Sequence, residues 1–198
     1  GGTIDSGDIP QLFEAAIKQA DVAGFPYRRE QSDKQNKLRG IGFGMYLEQC
    51  GGGTDEGVSI EFQDDGRVIL YGSQQCNGQG HRTTVTQILS DRLGYDADLI
   101  TVHQGDSSRS PRGTTGGARM TSVLGSAVAK AAANIINLAK PLAAELLDCD
   151  TSALVFSDGL FLVSDTNRSL AIEDLVRRLA KPGHRHVLNC AQSYETDG

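Results

Sequence analysis

Gly57–Leu93, GVSIEFQDDGRVILYGSQQCNGQGHRTTVTQILSDRL, reads as strand, tight turn, strand, glycine loop and helix in immediate succession. Gly57–Gln63 and Arg67–Ser73 flank Asp64-Asp65-Gly66, a strong hairpin signal because such a turn needs a positive φ. The second strand delivers the chain into GSQQCNGQGH (Gly72–His81). Thr83–Leu93 then carries apolar residues at helical spacing and stops at Gly94. A second loop, GTTGGARM (Gly113–Met120), likewise follows a strand, Leu99–Gln104, and opens a long helix from Thr121. A helix start exposes unpaired N–H groups and the positive end of the peptide dipoles, so the arrangement forms an anion site twice over. The implied fold class is α+β: a mixed or antiparallel sheet with hairpins packed on helices, one of them long and alanine-rich.

On either side of this core the reading continues. DSGDIPQLFEAAIKQADVAG predicts a helix capped by Asp8, tolerant of Pro10 in its first turn and ended by Gly24, with Leu12, Phe13, Ala16, Ile17 and Ala20 as its apolar stripe. FPYRREQSDKQNK reads as a polar surface connection. Leu38–Glu48 predicts a strand through the alternation of Ile41, Phe43, Met45 and Leu47, with Gly40 and Gly42 marking a bulge or a close neighbour overhead. Pro141 is expected to kink or break the long helix. Ala153–Ser157 and Leu160–Val163 flank Asp158-Gly159 in a second hairpin, Ser169–Ala180 predicts an amphipathic helix, and the tail from Lys181 reads as irregular. Residues 1–198 are expected to form a single domain or part of one.

The chain has twenty-four glycines, against an average usage of roughly 7%, and six of them stand in the two loops, so loop geometry is specified there. The net charge of −6 argues against nucleic acid or an anionic membrane as partner. The alanine-rich segment after Gly125 is interrupted by Lys130, Asn134, Asn137 and Lys140, and no membrane span is expected. Four scattered cysteines without a C-x-x-C pair suggest neither zinc nor a disulfide framework and point to a reducing, cytoplasmic setting.

Among the residues that carry chemistry, Gln79 offers both donors and acceptors, suiting a pterin edge or a metal oxo group; equally, Gly78 and Gly80 need only form a turn. Thr83 and Thr84 suit capping or a phosphate contact. His81 has no partner at metal-ligand spacing, and His184 and His186 suit at most an adventitious metal. Arg119, flanked by Gly116, Gly117 and Ala118, is read as a phosphate ligand over a solvated arginine, with Arg109 and Arg112 as weaker candidates. Asp106 is expected to order its loop through backbone N–H bonds. Cys76 reads as unreactive. Glu48, Glu56 and Glu61 carry no mark of a general base, so neither a catalytic residue nor a metal ligand is assigned.

The ordered series DSGD (Asp5–Asp8), KLRGIGFGMYLE (Lys37–Glu48), GQGHRTTVTQILSDRLG (Gly78–Gly94), ITVHQGDSS (Ile100–Ser108) and GTTGGARMTSVLGSAV (Gly113–Val128) resembles the large, molybdopterin-binding subunit of the xanthine dehydrogenase, aldehyde oxidase and carbon monoxide dehydrogenase family. The resemblance implies a molybdenum-bearing pterin, often the cytosine dinucleotide form. It also implies hydroxylation of an aldehyde or N-heterocycle with oxygen from water, and electron transfer to iron–sulfur and FAD subunits or domains. It places the cofactor on Asn77, Gly78, Gln79, Gly80, His81 and Thr83, and on Gly116, Gly117, Ala118, Arg119 and Met120. The family's T-G-G-S-R-S loop maps onto Thr115–Met120, where Ala118 and Met120 replace two serines and remove their hydroxyls. A further glycine motif and the substrate loop belong upstream, and the catalytic glutamate downstream. The expectation is a fragment of a longer large subunit, inactive and empty of cofactor in isolation. The alternative is a stand-alone nucleotide- or phosphate-binding module without redox chemistry.

Overall fold

The computed structural model describes residues 7–46, 56–111 and 113–195. The chain divides into two compact units, Gly1–Leu47 and Glu48–Gly198.

In the first unit, α1 (Ile9–Gln19) starts as expected: Asp8 accepts from the Gln11 N–H at 2.9 Å, and Pro10 lies in the first turn. It ends earlier than Gly24, because a left-handed Asp21 turns the chain into a short 3-10 segment. What read as a polar connection is a second helix, α2 (Phe25–Asp33), with Pro26 in its first turn, good helix formers after it and a Lys34–Glu30 ion pair one turn apart. Residues 37–46 form no strand. Alternation describes how a strand would bury its side chains, but a strand exists only where another pairs with it. Ile41, Phe43 and Met45 are therefore exposed, and among the described residues nothing lies within 4 Å of a Cβ placed at Gly40 or Gly42. Leu47 and Glu48 lie outside the described residues. Leu12 is 68% exposed, and Ser32 is the sole buried residue of this unit among those described.

The second unit is built on a four-stranded sheet of β1 (Glu56–Phe62), β2 (Val68–Gly72), β3 (Ile100–Gln104) and β7 (Cys190–Tyr194), in the order β3-β2-β1-β7. β1 and β2 are the expected antiparallel hairpin, closed by Gly66 at φ 86°. β3 lies parallel to β2, with α3 (His81–Leu93) as the crossover between them. β7 pairs antiparallel with β1 inside the tail that read as irregular. Its five residues, Cys-Ala-Gln-Ser-Tyr, have no apolar alternation to betray an edge strand. Contacts far along the chain hold it there: Asn189 Oδ1 accepts from the Phe62 N–H at 2.8 Å and Asn134 donates to Gln192 at 2.7 Å.

Val58, Ile60 and Phe62 present one face of β1 to the core, alongside Val68 and Leu70 of β2. α3 and α4 (Gly125–Leu146) pack on one another and on this sheet. The helix α4 runs unbroken through Pro141. That residue is exposed, as is Asn137 one turn before it, so water can satisfy the carbonyl that proline leaves without a donor. Counted with its preceding turn, Met120–Leu146 is long and apolar enough to cross a bilayer by length and composition, contrary to the sequence expectation. Six of the eight alanines of α4 pack into the core, while Lys130 and Asn137 stay exposed and Asn134 and Lys140 half-exposed along an outer stripe.

The remaining sheet joins β4 (Leu154–Ser157), β5 (Leu160–Val163) and β6 (Ser169–Ala171), with Asp158 and Gly159 both at positive φ in the expected turn. The amphipathic helix α5 (Ile172–Leu179) starts three residues late because Ser169–Ala171 pair with β5. Its Ile172, Leu175 and Val176 complete the same hydrophobic core.

Candidate functional site

Both glycine loops leave the same edge of the structure. β2 ends at Gly72 and its parallel neighbour β3 at Gln104, and parallel strands deliver their following loops to one end of a sheet. The loops are tied directly. Thr115 Oγ1 accepts from the Gln75 N–H at 3.0 Å and donates to the Gln75 carbonyl at 2.7 Å.

Beneath this tie lies a buried polar knot that the sequence reading missed. Glu56, fully buried at the start of β1, accepts from Ser73 Oγ at 2.5 Å in the first loop. In the second loop its partners are the Thr114 N–H at 3.2 Å and Arg119 Nη2 at 2.9 Å. Arg119 Nη2 also donates to the Thr114 carbonyl at 2.9 Å. A buried carboxylate persists only where donors replace its water, and three do so here. Gly113 makes room for it: a Cβ there would overlap Glu56 Oε2 and Ser73 Oγ. The signal was its parity, since Glu56 shares the core-facing register of Val58 and Ile60.

Between the loops opens a cleft of about 360 Å³ lined by Gln79, His81 and residues 115–121. Seven predicted residues meet there: Gln79, His81, Gly116, Gly117, Ala118, Arg119 and Met120. Gly117 and Ala118 hold consecutive left-handed conformations, φ 60° and 46°, the second rare for a residue with a Cβ. Asn77 lines a neighbouring hollow of about 250 Å³ with Ser73, Gln75 and residues 113–115. Gly78, Gly80 and Thr83 line neither. Arg119 and His81, both of this lining, each carry a buried side-chain atom without a hydrogen-bond partner among the described residues, Arg119 Nε and His81 Nδ1. Gln79 uses its amide oxygen to accept from the Asn77 N–H at 2.5 Å, which leaves its NH2 group for other partners.

The helix starts differ from the simple expectation. α3 begins at His81 with Gly80 in the cap position and no side-chain cap; Thr84 bonds back to the Gly80 carbonyl, and Thr83 is exposed. The N–H groups of Gly78, His81, Gly80 and Gln79 hold the exposed Cys76 thiol below the ordinary thiol range. These donors stand against its reading as unreactive. The second loop enters its helix through a π turn, Met120–Leu124, in which Ser122 Oγ donates to the Arg119 carbonyl.

Among the other candidates, Asp106 orders its loop as expected. The Ser108 hydroxyl and N–H donate to it at 2.6 and 2.9 Å and hold its carboxyl below the usual range. Arg109 lies over the Tyr71 ring, 4.8 Å from its centroid, and pairs with Glu61. Arg112 lies outside the described residues. His186 is buried, its Nε2 3.0 Å from the Val176 carbonyl and its Nδ1 accepting from the Leu188 N–H, so both nitrogens have partners in the core. No group of three metal-ligating side chains is gathered among the described residues.

Residues 15–197 match the family model for the molybdopterin cofactor-binding domain. The chain is 33% identical over 169 residues to the carbon monoxide dehydrogenase large chain of Afipia carboxidovorans, covering 75% of this chain and 20% of that one. It is 27% identical over 172 residues to the 6-hydroxypseudooxynicotine dehydrogenase complex subunit gamma of Paenarthrobacter nicotinovorans, covering 86% and 22%. Its fold superposes on a crystal structure of a Cu,Mo-CO dehydrogenase with a TM-score of 0.67 at 25% identity, over 100% of this chain and 27% of that one. The chain thus spans about a fifth of the length of the curated relatives it matches.

Proposed function

The chain belongs to the molybdopterin cofactor-binding domain family, and from that premise we propose that its two loops hold part of a molybdenum–pterin cofactor within a larger oxidoreductase subunit. The reaction proposed is hydroxylation of an aldehyde, an N-heterocycle or a similar small molecule with oxygen from water. The proposal extends to the cytosine dinucleotide form of the cofactor and to partner subunits or domains carrying iron–sulfur clusters and FAD. Relatives named as a complex subunit gamma and a large subunit support an assembly of several subunits.

One observation carries the reading. Two loops far apart in the chain meet around one cleft, and two of its lining residues each bury a polar atom without a partner among the described residues, Arg119 Nε and His81 Nδ1. An orphaned buried polar atom is costly, by about 1–3 kcal/mol each, unless a ligand or water completes it. The residues fit a cofactor whose edge offers acceptors: Arg119 and Gln79 supply N–H donors, and His81 Nδ1 donates or accepts according to its tautomer. When bound, the cofactor supplies the two-electron redox centre. Arg119, Gln79 and His81 orient it, while the Gly116–Gly117 backbone admits it closely.

The stand-alone nucleotide module is not favoured, because the matched family is defined by binding molybdopterin. In the parent enzyme, Gln79→Ala and Arg119→Met should each lower molybdenum and pterin content. Full content in both variants overturns the assignment of these loops. The isolated 198-residue chain is proposed to be inactive, and oxidation of an aldehyde or xanthine by the purified chain would contradict that.

A further inference from the structure

We infer that Glu56 is the positioning residue of this site and acts on the cofactor through Arg119; the inference rests on reading the two loops as cofactor loops. Glu56 contacts neither the cleft nor its lining beyond Arg119, yet it is fully buried and bonded to both loops. Stability alone is a poor reason for such a group, because a well-packed apolar side chain in place of a buried ion pair is often as stable or more so. The arrangement sets direction. Arg119 Nη2 is held by two acceptors, Glu56 Oε1 and the Thr114 carbonyl, both 2.9 Å away. A guanidinium is a rigid plane, so fixing that nitrogen fixes the remaining donors. Nε is then left buried and partnerless on a residue of the cleft wall. Without Glu56 the guanidinium would have one acceptor to hold it and would be free to turn toward solvent. The carboxylate also balances the arginine's charge, so a fixed guanidinium lines the cleft in place of an uncompensated buried cation. Through Ser73, the same carboxylate fixes the first loop relative to the second.

The test is a double-mutant cycle in the parent enzyme complex with Glu56→Gln, Arg119→Met and both together. Molybdenum is read by plasma mass spectrometry, pterin by fluorescence after oxidative release, and folding by the melting temperature of cofactor-free protein. Load is expected to fall roughly tenfold in each single variant, the scale on which losing the partner that orients a ligand-holding group acts. The double variant, which buries no unpaired charge, is expected to melt close to the parent and to load no better than Arg119→Met alone. Full load in Glu56→Gln beside a depleted Arg119→Met overturns the inference and leaves the reading of the loops standing. Full load in Arg119→Met overturns that role of Arg119, and the inference with it. Losses that multiply in the double variant show Glu56 acting apart from Arg119 and also overturn it. If Glu56→Gln does not accumulate, Glu56→Asp keeps the charge but draws the carboxylate back by one methylene. It is read in the same way, and undiminished load overturns the inference.

Discussion

Thr115 Oγ1 bonds both main-chain groups of Gln75, taking the N–H at 3.0 Å and giving its proton to the carbonyl at 2.7 Å. One side chain thereby closes one glycine loop on the other. Thr115→Val keeps the shape and removes both bonds, so it should lower stability by about 1–2 kcal/mol, and Thr115→Ser should recover most of it. Urea unfolding of the three proteins measures the difference; equal midpoints for Val and Thr would show that the tie carries no weight.

Gly113 and Gly116 lie three residues apart in one loop and should respond oppositely to alanine. A Cβ at position 113 overlaps Glu56 and Ser73, whereas nothing lies within 4 Å of one at 116. Gly113→Ala is expected to destabilise by about 1–3 kcal/mol through overpacking, and Gly116→Ala by well under that. Melting curves of the two variants decide it, and the reverse ranking would contradict the buried knot.

Cys76 should be alkylated ahead of Cys190. Backbone N–H groups of Gly78, His81, Gly80 and Gln79 favour its thiolate, while burial pushes the Cys190 thiol up. With iodoacetamide, the rate at Cys76 should reach its half-maximum below the free-thiol value of about 8.5. Peptide mass spectrometry across a pH series checks this, and modification of Cys190 ahead of Cys76 would refute it.

Tyr95 ties α3's end to the first hairpin by donating its hydroxyl to the Gly66 carbonyl at 2.5 Å, and burial pushes its phenol above the ordinary range. An unfolded tyrosine ionises near pH 10, so above that pH the unfolded state loses its proton first. Stability conferred by this neutral phenol is thus complete below about pH 10 and drains away as pH rises toward the folded value. Tyr95→Phe should be less stable at neutral pH by roughly 1 kcal/mol and decline less steeply in alkali. Denaturant titrations at pH 8 and 11, or at about those values, compare the slopes; parallel declines would exclude the phenol as their source.

Local chemistry was legible from residues a few positions apart. The hairpin turns at Asp64-Asp65-Gly66 and Asp158-Gly159, the helix α3 with its stop at Gly94, and the two glycine loops all follow from φ preferences and periodicity within one element. The ordered motifs likewise carried the family before any coordinate did. The same local rules misread the described part of Leu38–Glu48, where alternation stands without a pairing partner among the described residues, and Cys190–Tyr194, where a partner exists without alternation.

What the sequence determined by itself is the menu of local conformations and the presence of two loops suited to an anionic, hydrogen-bonding cofactor. Only tertiary structure decided which groups face the cleft. Arg119 read as a phosphate ligand, but a glutamate 63 residues away claims its Nη2 and its Nε is buried without a partner among the described residues. Glu56 looked like one acidic strand residue among several until burial removed its water and made three donors obligatory. Partners this distant are brought together by the register of a sheet and the packing of α4 beneath it, and desolvation, which sets their energies, arises only when the chain closes over them.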